Sequence, residues 1–224
     1  MALPEYEKIA QAARDFRQPA LANLPLIEEG EAGEEVAALY DHFRNHFGRP
    51  DVPGILKCFA THPPLLRHMM DLSEHLIFSD GSLGRKHKEM IATLVSTQNL
   101  CAYCADSHGF FLRVHGGSSQ LVAAIQADEL CSPEFTAPEQ VLLAFARKVN
   151  LNSHEISRDD VDLMHQSGWS EPQIAEAIHV TALFATFNRV ANSFGLRSQS
   201  LLALFDVDKN GSLDESTNAE RSGL

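Results

Sequence analysis

The sequence predicts an all-α fold. Three observations carry that prediction: apolar residues recur at helical spacing along most of the chain, no stretch alternates as a strand does, and Pro, Gly and Asn punctuation cuts the pattern into helix-length segments.

Residues 1–30 are mixed, with Pro4, Pro19 and Pro25 spaced so that no long helix runs through them, and read as an N-terminal arm. From Glu31 the pattern becomes helical through Val36, Leu39, Tyr40, Phe43 and Phe47, and Gly48 with Pro50 closes that helix. A second helix follows Pro63 and Pro64, with Leu65, Leu66, Met69, Leu72, Leu76 and Ile77 inward, up to the Ser79-Asp80-Gly81 break. Gly84 to Gln98 makes a third, and Cys101 to His115 a fourth after the punctuation at Asn99. Further helices are predicted over 118–127, 137–151, 157–167 and 171–194. The last is the clearest: Ser170 with Gln173 forms a capping box, Pro172 suits the first turn and Gly195 ends the run.

No linker interrupts residues 31–197, which read as one helical domain, followed by a polar acidic tail over 198–224. Within that tail Asp206, Asp208, Asn210, Gly211 and Asp214 resemble a calcium-binding loop with Leu213 as its apolar plug. Its twelfth position is Thr217, where a bidentate Glu is expected, so the segment reads as a solvated tail.

Composition narrows the function. The 224 residues are 44% hydrophobic, ample for a core, and 18 Lys and Arg against 30 Asp and Glu give a formal charge of -12. That field repels nucleic acid and anionic membrane surfaces. The start, MALPEYEKIA, lacks the apolar run of a secretory signal, and no later segment reaches the ~20 apolar residues of a membrane span. A soluble cytoplasmic protein is the expectation, with no nucleic-acid or membrane partner. Two of its four cysteines form a C-x-x-C pair, which in a reducing compartment points to a redox or metal site.

The candidate site is Glu89, Cys101, Cys104 and His108. On a helix the last three fall at i, i+3 and i+7, on one face. Asn99 is placed to cap that helix, which would put both cysteines in its first turns, where unpaired N–H groups and the positive dipole end favour a thiolate. Glu89 lies on the preceding helix beside Ala92, Thr93 and Ser96, small side chains that admit a close antiparallel neighbour. A thiolate to attack, a second thiol to resolve and acid–base groups to move protons suit peroxide reduction, whose alkoxide leaving group needs a proton. A relay from Glu89 through His108 would supply it. No cofactor is required.

The pattern E-x11-C-x-x-C-x3-H resembles the signature of the alkylhydroperoxidase AhpD family, within the carboxymuconolactone decarboxylase-like superfamily. The flanking VPGILKCFATHPPLLRHMM and WSEPQIAEAIHVTALFATFNRVANSFGL extend the resemblance to AhpD-like peroxidase-related proteins over residues 35–197. It implies an AhpD-like multi-helix bundle, a homo-oligomer, a hydroperoxide substrate and a thiol or lipoyl-type reductant. It also implies that Cys104 attacks the peroxide and that Cys101 is the more exposed, resolving thiol. A thioredoxin-like motif would instead activate the first cysteine. Tyr103 stands where a histidine can occur in the family.

Other readings remain. Cys101, Cys104 and His108 with Glu89 could hold zinc, making the chain a non-enzymatic metal-binding or oxidant-sensing protein. Acid–base residues alone would suit decarboxylase or lactone chemistry, which leaves the C-x-x-C without a task. His115 lies 11 residues beyond Cys104, ~16 Å along a helix, outside the site. His42 and His46, Cys58 and Cys131 read as surface or packing residues, the phenylalanines of the last helix as core, and Glu28 to Glu35 as solvated or helix-start charges.

Overall fold

The computed structural model describes residues 22–205. The calcium-like segment at 206–217, and the arm before residue 22, lie outside the described residues. Among the described residues there is no strand, and no helix is long and apolar enough to cross a membrane.

The helices are α1 (Glu34–Phe47), α2 (Gly54–Lys57), α3 (Pro63–Ser73), α4 (Arg85–Gln98), α5 (Ala102–Val114), α6 (Ser119–Gln126), α7 (Ala137–Asn152), α8 (Arg158–Gln166) and α9 (Glu171–Phe194). The predicted segments reappear with ends within a few residues, and local chemistry explains the stops. Gly48 closes α1 in the left-handed region at φ 59°, and Gly195 closes α9 at φ 78°. Ser170 N–H donates to Gln173 Oε1 (2.9 Å) at the start of α9, and Thr136 with Glu139 builds the same box on α7. The helix expected to run to Ile77 instead ends at Ser73 and continues as a π-helical turn, Glu74–Phe78. The four-residue α2, too short for periodicity to reveal, was not anticipated.

The core centres on α4, whose residues Lys88 to Ser96 are all buried. Ala92, Thr93 and Ser96 have no exposed surface, and α5 packs along this helix more extensively than any other pair in the fold. α9 lies across both, burying Ile174, Val180, Leu183, Phe184 and Phe187, worth roughly 1.5–3 kcal/mol for each large side chain.

A buried ion pair ties α9 to the start of α4. Lys88, fully buried, meets Glu176 at 2.7 Å and donates to Ser79 O (3.0 Å), while Glu176 also accepts from Leu83 N–H (2.6 Å). A Cβ at Gly81 would collide with that carboxylate, so the loop fits because residue 81 is glycine. Glu176→Ala, which strands the Lys88 charge in the interior, is expected to cost about 3–5 kcal/mol in denaturant unfolding.

Two expectations change. Glu28 and Glu29 are not merely solvated: Lys57, 7% exposed, pairs with Glu28 (2.7 Å) and Glu29 (3.4 Å), and Glu29 also takes Arg44 and the Val52 N–H (3.1 Å). The arm's end is thereby clasped to α1 and α2. The tail also leaves the domain later than residue 198. Asp106 on α5 accepts from the N–H groups of Gln199, Leu201 and Leu202, each at 3.0 Å, and Leu201 and Phe205 bury against Phe110.

Candidate active site

The α4–α5 hairpin places the four candidate residues. Its turn runs Asn99-Leu100-Cys101, with Leu100 in the left-handed region at φ 54° and 86% exposed. Because the two helices pack antiparallel, residues at similar distances from this turn face each other, and Glu89 on α4 meets His108 on α5.

The cap of α5 differs from expectation. Asn99 ends α4, and its carboxamide reaches sideways to Asn150 (3.1 Å) and Asn188 (3.0 Å). Cys101 itself is the N-cap of α5: its backbone is extended (φ −92°, ψ 90°) and its sulfur accepts the Cys104 N–H at 3.4 Å. That geometry turns the Cys101 sulfur inward, under Ala191 and Leu196. Cys101 is therefore 1% exposed and Cys104 3%, and the expectation that Cys101 is the more exposed thiol does not hold.

The two sulfurs share a hydrogen at 2.7 Å, and both are free thiols. A small closure separates them from the ~2.05 Å of a disulfide. The shared contact makes the pair unequal. Hydrogen bonding from Cys104 lowers the Cys101 thiol against the opposing effect of burial, helped by the Cys104 and Tyr103 N–H groups; the same contact, together with burial, drives the Cys104 thiol up. The first negative charge belongs on Cys101.

Glu89 is wholly buried, yet ionised. Burial raises its carboxyl, but His108, whose Nδ1 lies 2.7 Å from Oε2, and Arg85, whose Nε donates to Oε1 at 2.7 Å, together hold it below the ordinary carboxylate range. Arg85 is in turn fixed over the Phe78 ring at 4.8 Å. An ionised Glu89 leaves the shared proton on His108 Nδ1. The carboxylate thus holds the imidazole in place through Nδ1. The His108 ring stands edge-on to Phe184, with centroids 4.4 Å apart.

A cavity of about 80 Å³ opens beside these groups. Its wall is largely apolar, built from Phe43, Phe47, Ile77, Phe78, Phe184 and Phe187, and both Cys104 and His108 border it. Cys101 does not line it. Phe184 and Phe187, expected as core alone, are both core and cavity wall. Tyr103 also borders the cavity, its hydroxyl accepting from Ile55 N–H at 3.4 Å.

Among the described residues no three His, Cys, Asp or Glu side chains gather to hold a metal ion. His42 and His46 stack on the surface of α1, and His46 pairs with Glu74 (3.0 Å). Cys58 is buried, which pushes its thiol up to about 12, whereas Cys131 is exposed.

Sequence reasoning missed Arg85 and Asn188. Arg85 was legible as the i−4 neighbour of Glu89 on one helix. Asn188 was legible as a polar residue inside the apolar face carried by Phe184, Phe187 and Ala191.

Residues 63–147 match the carboxymuconolactone decarboxylase family. Among solved structures, the fold is similar to the alkylhydroperoxidase AhpD core of an uncharacterised peroxidase-related protein from Ralstonia eutropha JMP134, with TM-score 0.74 and 23% identity over 84% of this chain and 98% of that one. A peroxidase-related protein from Silicibacter sp. TM1040 gives TM-score 0.68 and 28% identity over 80% and 91%. The debrominase Bmp8 shares the fold at TM-score 0.65, with 16% identity over 84% and 97%.

Proposed function

We propose that this chain, which matches the carboxymuconolactone decarboxylase family over residues 63–147 and is similar in fold to AhpD-core proteins, is a thiol-dependent peroxidase that cycles Cys101 and Cys104 between dithiol and disulfide. The observation that carries this reading is the sulfur pair at 2.7 Å, one member of which faces an apolar cavity beside a His108–Glu89 pair.

The chemistry proceeds in three steps. Charge gathers first on Cys101, and the proton shared between the sulfurs lets it pass to Cys104, which borders the cavity. The Cys104 thiolate attacks one peroxide oxygen; the O–O bond breaks, and the departing alkoxide takes a proton from His108, leaving a sulfenic acid on Cys104. Cys101 then attacks the Cys104 sulfur, an S–S bond forms and water leaves. An external thiol or lipoyl-type dithiol returns two electrons and two protons by thiol–disulfide exchange. The apolar wall favours an organic hydroperoxide over hydrogen peroxide, since burying a carbon chain there gains about 25 cal/mol per Å².

Debrominase chemistry on the same fold shows how widely this architecture serves, and the two thiols rather than the fold direct the reading here. The test is peroxide consumption by the purified protein with dihydrolipoamide, a thioredoxin system and glutathione offered in turn. Multiple turnover with a dithiol donor is expected, faster with an aryl or alkyl hydroperoxide than with hydrogen peroxide. Absence of turnover with every donor would remove the peroxidase reading.

A further inference from the structure

Two tyrosines are buried among the described residues, and their hydroxyls are treated differently. Tyr40 on α1 donates its O–H to the Ile27 carbonyl at 2.9 Å, so its proton has a backbone acceptor. Tyr103 on α5, 6% exposed, uses only its oxygen, which accepts the Ile55 N–H at 3.4 Å. Among the described residues no carbonyl, carboxylate or sulfur accepts the Tyr103 O–H. A buried hydroxyl whose proton lacks an acceptor is unfavourable, and phenylalanine would fill the same space without that penalty. Burial also holds the phenol above the ordinary tyrosine range, so the donor keeps its proton.

The hydroxyl stands at one wall of the thiol cavity. Pro53, Ile55 and Leu56, the segment whose N–H it accepts, form that wall, and Tyr103 lines the cavity together with Cys104 and His108. At ~100° of turn per residue, Tyr103 and His108 fall on opposite flanks of Cys104 along α5. A molecule that brings an oxygen to the Cys104 sulfur is thus met by a phenol on one side and an imidazole on the other. The cavity's other polar side chains leave the phenol its proton: Ser73 is turned to its own helix, donating to Met69 O at 2.6 Å, and Arg49, over the Phe43 ring at 5.6 Å, carries donors only.

We propose that Tyr103 is a substrate-contacting residue of the thiol site, donating its O–H to the alkoxy oxygen of an alkyl hydroperoxide as that oxygen leaves. The proposal rests on the peroxidase reading and deepens it. When the Cys104 thiolate takes the terminal oxygen, the electron pair of the O–O bond passes to the alkoxy oxygen, which gains negative charge. The hydrogen bond from Tyr103 strengthens as that charge grows, while the proton that neutralises the alkoxide comes from His108. Tyr103 therefore ends the step unchanged. A donor already in place where charge develops favours the transition state over the bound substrate, so its effect falls on the rate more than on affinity.

The test is Tyr103→Phe in the full-length, reduced protein, with single-turnover oxidation of Cys104 by tert-butyl hydroperoxide followed by mass spectrometry. The variant, folded by circular dichroism, should react about 10²-fold more slowly than wild type, the scale of one lost oxyanion donor. Equal rates overturn the proposal. A slowing that extends equally to alkylation of Cys104 by iodoacetamide, whose iodide leaving group needs no such donor, assigns the hydroxyl a structural role and overturns it as well. A second measurement stands apart from both the variant's folding and the peroxidase reading. Titration of wild type with tert-butanol, which presents the same alkoxy oxygen without reacting, should shift the ultraviolet absorbance of a tyrosine to the red, and Tyr103→Phe should lose that shift. If wild type consumes no hydroperoxide but shows the shift, the peroxidase reading falls and the Tyr103 contact stands. If wild type neither reacts nor shows the shift, or if the variant cannot fold and wild type shows no shift, the contact is overturned.

Discussion

Cys104→Ser is expected to abolish the first turnover with peroxide, and Cys101→Ser to permit one oxidation and then stop. This division follows from position. Cys104 borders the cavity and Cys101 does not, so under the proposed cycle a peroxide in the cavity would meet the second cysteine. Removing an attacking nucleophile should slow the reaction by at least about three orders of magnitude, because a serine hydroxyl is scarcely ionised near neutral pH and cannot take the peroxide oxygen as a sulfenic acid. Cys101→Ser has a second consequence. It removes the S–H partner and leaves an oxygen at the N-cap, so the single oxidation should be slower as well as unresolved, with a sulfenic acid accumulating on Cys104 and trapped by dimedone. If single-turnover activity survives in Cys104→Ser and vanishes in Cys101→Ser, the thiolate attacks from where it first forms, and the transfer of charge between the sulfurs has to be discarded.

Glu89→Gln carries the next largest effect, on both rate and stability. Without the carboxylate, His108 loses the charge that holds its proton on Nδ1 and fixes its ring, and the peroxide step should slow by about 10²- to 10⁴-fold, the scale of lost acid–base assistance. Arg85 is left over Phe78 without its partner, which should cost about 3 kcal/mol or more in unfolding, so rates belong at a temperature where the variant is folded. The pH dependence has a definite sign. The carboxyl of Glu89 is lower in the folded protein than the ~4.3 of an unfolded chain, so the stability it contributes is complete above that value and is lost as pH falls through the lowered folded value. Acid unfolding of the wild type should therefore be steeper than that of Glu89→Gln over that range. Equal acid limbs would mean that Glu89 is not the ionised, doubly paired group described.

Helix positions were legible because amphipathic period and terminal chemistry agree: Ser170, Pro172 and Gly195 bracket α9 as they should. The meeting of Glu89 with His108 was legible in outline, since Ala92, Thr93 and Ser96 announce a close neighbour. Details set by a turn were not. Periodicity gives no sign that Leu100 takes a positive φ, and that one residue moves the cap from Asn99 to Cys101 and turns its sulfur inward. The proton's location was equally hidden, because it depends on Arg85 balancing the burial of Glu89. The clasp of Glu28 and Glu29 on Lys57 joins residues some thirty positions apart, beyond any local pattern.

One measurement bears most directly on the dithiol–disulfide cycle: peptide-resolved mass spectrometry of the reduced protein after an equimolar dose of an organic hydroperoxide. The account predicts an intramolecular Cys101–Cys104 disulfide formed in proportion to the peroxide consumed, with buried Cys58 still a thiol. Persistence of Cys101 and Cys104 as thiols while the peroxide disappears, or oxidation confined to exposed Cys131, would contradict it.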